Sequence, residues 1–375
     1  MNIYIVCAWY EVAMRHYSFT ILNNIRKHLP ENQQVYVTLV LRNDLENYPE
    51  LKELEGLNID YVIIKNSLLN ILSKVFPVFF DRYVLRKAKE FNASLIYILF
   101  EGLFFKNIDA MARQSKIMYT VHDLIPHEKS IVSMKDRWLE RTESTRAAYL
   151  REKADYRITN SYAQFLELKN KYSKPSFYTS MPTLVNTHIA NGNLKPAEIK
   201  TGKYILFFGR LDKYKGLKRL IECHLKSAVD ATLLIAGAGN IWFQVPDSQR
   251  VMIINRHIDD AELKYLFENA LICVLPYIST TQTALVSIPF HFKCPVMLSD
   301  IKEFVLLAND SGSIVCDFNN YQQYNGYIKE ITTNEDFRHS VVASQTRFYE
   351  KNYDPEIFMS HLTKIFDEIQ GNIVN

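Results

Sequence analysis

An α/β fold of two successive domains, each a doubly wound and mostly parallel sheet, is what this sequence predicts. Three observations predict it. Short apolar runs alternate with amphipathic stretches along the whole chain. The alternation breaks once, over residues 174–202, where Pro175, Pro182, Gly192, Pro196 and Gly202 interrupt it, and then restarts. And 375 residues are too many for one ordinary core.

The elements follow in order. Residues 2–8 (NIYIVCA) read as a buried strand, and a helix near 17–29 ends at Pro30. Strands are expected at 34–41, 60–64, 95–99 and 116–121, with helices at about 79–91 and 135–153 by apolar periodicity. After the break come strand 204–208, helix 217–227, and strands 231–236 and 251–254. Helix 260–268, strand 272–275, a helix near 284–293 and strand 295–298 complete the pattern. The domains are therefore 1–185 and 203–354, joined by 186–202 and closed by a helix in 355–375. That last helix carries Phe358, Leu362, Ile365 and Phe366 on one face and is expected to pack on the second domain. Two such domains facing each other place ligands in a cleft, beyond the carboxyl ends of the strands.

Composition sets limits on function. Hydrophobic residues make up 48% and charged residues 23%, which suits a globular protein. A formal net charge of +3 carries no polyanion signature, so nucleic acid is not an expected partner. The cysteines, Cys7, Cys223, Cys273, Cys294 and Cys316, are scattered and without metal-ligand spacing, which reads as reduced thiols in a cytoplasmic protein. The greasiest stretch, 68–85, is broken by Lys74, Pro77, Asp81 and Arg82, whereas a bilayer span needs about 20 nearly uninterrupted apolar residues. Its aromatics beside Arg82, Arg86, Lys87 and Lys89 would suit a peripheral contact with anionic lipid, although core packing explains the rings better. The mixed charges of 135–157 read as a solvated helix.

The strongest local signal is FFGRLDKYKGLKRLI at 207–221. A strand ends at Gly209, and Arg210 and Lys215 stand in the turn before a helix. A glycine permits close backbone approach, a helix start offers free N–H groups, and two cations stand beside them. That combination suits a diphosphate, and equally describes an ordinary strand–turn–helix with solvated charges. In the first half, IMYTVHDLIPHE at 117–128 delivers His122 and Asp123 to the sheet's carboxyl edge, where a His–Asp pair points to function more than a lone His would.

The GR…KG spacing followed by a Leu-rich helix resembles the second-domain opening of retaining glycosyltransferase family four. LLIAGAGN at 233–240, NRHIDDAELKYLFENALICVLPY at 255–277, SGSIVCDFNN and the closing YDPEIFMSHLTKIFDEI are similar to that family's segments in the same order. The resemblance implies the GT-B architecture and a nucleoside-diphosphate sugar as donor. It implies a glycan or lipid-linked glycan as acceptor, retention at the anomeric carbon, and a place in bacterial surface polysaccharide assembly, O-antigen or capsule. It further implies that Gly209, Arg210 and Lys215 hold the donor diphosphate, that backbone groups about Arg256 and Ile258 hold the base, and that His122 lies near the donor sugar. Asp123 and Arg15 are the further contacts expected in the first domain, where ADYRITNS at 154–161 also matches.

One departure stands out. Where the family carries two glutamates before its PV strand, this chain has Thr280 and Ile288. The stretch is similar to a subgroup with a TQSG-type loop, occupied here by Thr281, Gln282, Thr283 and Ala284, and donor contacts are expected from Thr280 through Leu285. Hydroxyls and N–H groups opening a helix would bind phosphate oxygens there, unless the threonines serve only as N-caps. No Asp-x-Asp stands in a suitable loop, so neither a metal nor another cofactor is expected. A sugar-nucleotide epimerase and a non-catalytic nucleotide- or glycan-binding protein are the competing readings.

Overall fold

The computed structural model describes residues 1–30, 33–65, 78–102, 105, 108–124, 134–200, 202–280 and 283–374. The chain divides into two compact units. The first runs to Pro182 and takes back the C-terminal segment from Pro355, and the second holds Thr183–Asp354.

Seven parallel strands build the first unit: β1 (Asn2–Cys7), β2 (Gln34–Leu41), β3 (Asn58–Ile63), β4 (Leu95–Phe100), β5 (Lys116–Thr120), β6 (Tyr156–Thr159) and β7 (Ser176–Tyr178). They lie in the order β3-β2-β1-β4-β5-β6-β7. The order reverses between β1 and β4, which pair from Ile3↔Leu95 onward. Alternation along the strands assigns the two faces. Ile3, Ile5, Val37, Leu39, Leu95 and Tyr97 share one core with α1 (Val12–His28). Tyr4, Val6, Tyr36, Ile96 and Ile98 share the other with α2 (Val78–Glu90), through Phe80, Val84 and Ala88. A strand covered on both faces reads as a continuous apolar run, and this is why β1 and β4 were legible. Among the described residues the other helices of this unit are α3 (Asp109–Ala112), α4 (Met134–Lys153) and α5 (Tyr162–Lys171).

The second unit repeats the plan with six parallel strands. They are β8 (Tyr204–Phe208), β9 (Thr232–Ala236), β10 (Val251–Ile254), β11 (Ala270–Leu275), β12 (Val296–Ser299) and β13 (Ile314–Cys316), in the order β10-β9-β8-β11-β12-β13. Its helices are α6 (Thr187–Ala190), α7 (Leu217–Lys226), α8 (Asp260–Glu268), α9 (Ser287–His291), α10 (Lys302–Ser311), α11 (Tyr321–Thr333) and α12 (Glu335–Asn352). The strand order reverses between β8 and β11, and a ligand crevice forms at such a reversal, outside the carboxyl ends.

The closing helix departs from expectation. α13 (Pro355–Val374) packs in the first unit, where Phe358, Leu362, Ile365, Phe366 and Ile369 join the α1 side of the core. Phe366 meets Tyr97 edge-on at 6.3 Å. The stripe is buried, and its partner is the α1-covered face of the first sheet rather than the second unit. The stretch read as a connection is partly structured. β7 pairs with β6 through Thr159↔Tyr178, and α6 sits on the start of α8, where Asn186 donates to Asp260 at 3.1 Å. The helix expected near 284–293 is a 3-10 turn at Ala284–Val286 followed by α9. Among the described residues no helix is long and apolar enough to cross a membrane.

Candidate functional site

At the second sheet's reversal three loops meet, and their backbones approach too closely for side chains. Gly209, at the end of β8, has a φ of +132°, and a Cβ on Gly237, at the end of β9, would lie 2.0 Å from the Gly209 carbonyl oxygen. The two loops are stitched by Leu211 N–H donating to the Ala238 carbonyl at 3.0 Å. From β11's side, the Leu285 side chain lies 3.2 Å from where a Gly209 Cβ would stand. So Gly209 and the Thr283–Leu285 turn, placed together by resemblance alone, are neighbours in space.

Arg210 and Lys215 differ in setting. Arg210 is half exposed, 52% by side chain, and its Nε pairs with the Asp212 carboxylate at 2.5 Å. Lys215 is buried, and its ammonium lies 3.6 Å from the Tyr277 ring centroid and 4.8 Å from that of Tyr214. The Tyr277 hydroxyl is buried, with the Thr283 side chain as its hydrogen-bonding neighbour. Gly216 follows with φ +69°, and a Cβ there would fall 1.9 Å from the Pro276 carbonyl oxygen. This contact presses the start of α7 against the β11 end. Neither Asp212 nor Tyr277 was singled out in the sequence, although Asp212 lies inside the same GRLDKYKG stretch.

The hydroxyl-rich loop is only partly described. Thr281 and Gln282 lie outside the described residues, while Thr280 is buried. The Thr283 hydroxyl accepts from the Leu285 N–H at 3.3 Å, the N-cap arrangement that threonine favours. Ile288, at the second position where the family carries glutamate, is buried in α9. The expected helix start is thus a short 3-10 turn whose Leu285 N–H is already engaged.

At the end of β10, Arg256 is held by its neighbours. Its guanidinium donates to both Glu198 oxygens at 2.7 and 2.9 Å, to both Glu262 oxygens at 2.8 Å, and to the His257 carbonyl at 3.1 Å. The Arg256 guanidinium holds the Glu198 carboxyl down at about 2. Ile258 is buried. Of these partners, Glu262 had a readable signal, since Asp259 and Glu262 form a capping box at the start of α8.

In the first unit, His122 follows β5 and its Nε2 donates to the Leu99 carbonyl at 2.8 Å. Tyr17 meets the ring edge-on at 4.9 Å. Burial lowers its pKa, against the opposing Leu99 bond and the Asp123 charge, so the ring is neutral at pH 7 with its lone pair on Nδ1. Gln164, buried on α5, pins this loop: its amide donates to the His122 carbonyl at 3.0 Å and accepts from the Leu124 N–H at 2.7 Å. The Asp123 carbonyl accepts from Arg151 at 3.4 Å. Nearby, at the end of β4, burial pushes the Glu101 carboxyl up to about 7, with the Tyr119 hydroxyl donating to it at 2.9 Å. Arg15, an expected first-domain contact, is bound bidentately by the buried Glu50 at 2.6 Å. Of the lipid-facing cations expected, Lys87 is paired with Asp60 at 2.6 Å and Phe80 is buried, whereas Phe79 is exposed. Residues 66–77 lie outside the described residues. Among the described residues no group of three or more His, Cys, Asp or Glu could hold a metal ion.

No family model and no curated protein sequence matches the chain. Solved structures do. HepE from Anabaena, crystallised in complex with UDP and glucose, is 12% identical with a TM-score of 0.69, covering 98% of this chain and 100% of that one. Sucrose-phosphate synthase from Thermosynechococcus elongatus is 12% identical with a TM-score of 0.69, over 99% of this chain and 100% of its own. A glycosyltransferase from Rickettsia africae is 15% identical with a TM-score of 0.63, over 99% of both chains. What this chain shares with them is the fold, two doubly wound parallel sheets of the GT-B type.

Proposed function

We propose that this chain is a glycosyltransferase that moves a sugar from a nucleoside-diphosphate donor to a glycan or lipid-linked glycan acceptor, with retention at the anomeric carbon. One observation carries the reading. At the reversal of the second sheet, a half-exposed Arg210 and a buried Lys215 flank a strand-end glycine over which three loops close. A diphosphate needs fixed positive charge and bare backbone at short range, and that place supplies both. The ligands of HepE, UDP and glucose in one crystal and UDP-glucose in another, make UDP-sugars the first donors to try.

In the proposed step, the bond from the anomeric carbon to the diphosphate oxygen breaks, and its electron pair leaves with the diphosphate. The acceptor oxygen bonds that carbon on the same face, and its proton passes to the departing oxygen. Arg210 and Lys215 offset the charge that grows there, and preorganised charge in a dry site outweighs mobile water. His122, neutral with Nδ1 as acceptor, suits a sugar hydroxyl rather than a phosphate. The cations occupy the role a metal would fill, so no metal is assigned to the step. Assembly of a bacterial surface polysaccharide is the setting this reading favours. Exposed Phe79 beside Arg82, Arg86 and Lys89 supports a peripheral membrane contact there.

The test is release of nucleoside diphosphate with and without a glycan acceptor, in the presence of EDTA. Donors are chosen by thermal shift, where a ligand at 100 times its Kd stabilises by about 2.7 kcal/mol. Acceptor-dependent release that survives chelation supports the proposal. Interconversion of the donor sugar would make the chain an epimerase, and binding without release would make it a binding protein.

A further inference from the structure

The base end of the donor has its own device, and the inference about it rests on the glycosyltransferase reading. We infer that Glu198, Arg256 and Glu262 form a positioning clamp that fixes the loop receiving the nucleobase and excludes the diphosphate from it.

Arg256 has five N–H donors, and the five contacts to Glu198, Glu262 and the His257 carbonyl use them all. A guanidinium so occupied cannot grip a phosphate without breaking one of its two bidentate pairs. Glu262 is committed as well, since it also accepts the Asp259 N–H at 2.9 Å. At the loop's other end, the Asn255 amide accepts from the Gly239 N–H at 3.1 Å and donates to the Gly239 carbonyl at 3.2 Å. The loop from Asn255 to Asp259 is thus tied to the β9 turn, to the first turn of α8 and to the 196–200 segment.

Charge then sets the direction of the ligand. Two carboxylates around one guanidinium leave a net negative cluster, which repels an anion and tolerates a neutral base. The cations stand at Arg210 and Lys215, after β8. In the order β10-β9-β8, the ends of β10 and β8 are two strand spacings apart, about 10 Å. A ribose bridging base and diphosphate spans such a gap. The clamp and the cations therefore admit a nucleoside diphosphate in one orientation, with the base over residues 256–258 and the phosphates over residues 209–216.

The experiment measures the Kd of UDP, GDP and inorganic pyrophosphate by calorimetry on the full chain, as wild type, Glu198→Gln and Arg256→Met. Thermal melts of each protein check the fold. Pyrophosphate reads the cation end alone, so a clamp that positions the base changes the ratio of the two affinities. In Arg256→Met the preferred nucleoside diphosphate should weaken about tenfold, the worth of one charge-assisted bond, while pyrophosphate is unchanged. Glu198→Gln keeps Glu262 in place and should give a smaller loss of the same kind. An unchanged ratio in a folded Glu198→Gln and a folded Arg256→Met overturns the clamp. Equal weakening of both probes does so too, by making the cluster a general support of the unit. Failure of wild type to bind either nucleotide would instead overturn the glycosyltransferase reading.

Discussion

Replacing Lys215 with methionine separates the lysine's part in stability from its part in chemistry. The ammonium sits 3.6 Å from the Tyr277 centroid in a buried position, where a cation–π contact is worth about 2 kcal/mol. Methionine has similar length and no charge to hold out of water, so part of that loss is recovered. Loss of the ring contact alone should lower stability by about 2 kcal/mol, or about 4–8 °C in Tm for a unit of this size. The proposed step should suffer more, because one preorganised charge contact to a developing anion is worth about 2.7–4 kcal/mol, a hundredfold to a thousandfold in turnover. Acceptor-dependent nucleoside diphosphate release and thermal melts, run side by side, read the two effects. Tyr277→Phe is the companion variant. It keeps the ring under Lys215 and removes the buried hydroxyl with its bond to Thr283, so stability should fall by about 1 kcal/mol with activity retained. Near-normal turnover in folded Lys215→Met would refute the reasoning. Equal damage from Tyr277→Phe would show that the hydroxyl, not the ammonium, matters.

Further outcomes follow from particular contacts. Asp212→Asn frees Arg210 from a half-exposed pair worth about 0.2–1 kcal/mol, so pyrophosphate should bind about 1.4- to 5-fold tighter by calorimetry. Weaker binding would mean that Asp212 orients Arg210 rather than competing for it. His224 is fully buried, and burial lowers its pKa to about 4, against about 6.5 unfolded. Above pH 6.5 it adds no pH dependence; between 6.5 and 4 the unfolded chain takes a proton that the folded one refuses, so stability falls as pH falls. Urea melts should show about 3 kcal/mol of such loss in the second unit, reduced in His224→Gln. All five cysteines are buried and free, and burial raises each thiol, Cys7 and Cys223 to about 11 and Cys294 and Cys316 to about 12. A thiol-specific reagent should therefore label the native protein only after denaturation.

The parts of this structure that sequence made legible share one physical property: their determinants are local. A parallel strand covered on both faces must be apolar throughout, so β1, β4, β8 and β11 announce themselves. The Gly209–Gly216 turn was readable because a strand end, a glycine and a following helix are contiguous. What sequence did not reveal depends on partners far along the chain. Nothing near Arg15 marks Glu50 as its acceptor, and Arg256 meets Glu198 across 58 residues. The stripe on α13 was visible, but a stripe does not name the surface it covers, and here that surface belongs to the first unit. The Thr283 loop shows a third limit. Its composition suited an anion site and an N-cap alike, and only the bond to the Leu285 N–H shows the second role.

Arg210 and Lys215, after β8, differ in exposure, and this divides the roles proposed for them. Lys215 is packed on Tyr277 before any ligand arrives, so its charge is already in place and little solvent must be moved when an anion forms beside it. Arg210 is half in water and tethered to Asp212, and a ligand must draw it from that pair. Its attraction is screened by salt over about 8 Å at physiological ionic strength, while a buried charge is screened far less. In the proposed step, affinity for the diphosphate would therefore draw on both residues, and transition-state stabilisation more on Lys215. The missing glutamates fit this division. With Ile288 buried in α9, no carboxylate stands at that position to offset the cations of the proposed diphosphate site. Glu198 and Glu262 are instead paired with Arg256, where in the proposed clamp their charge would fix the loop and set the donor's direction.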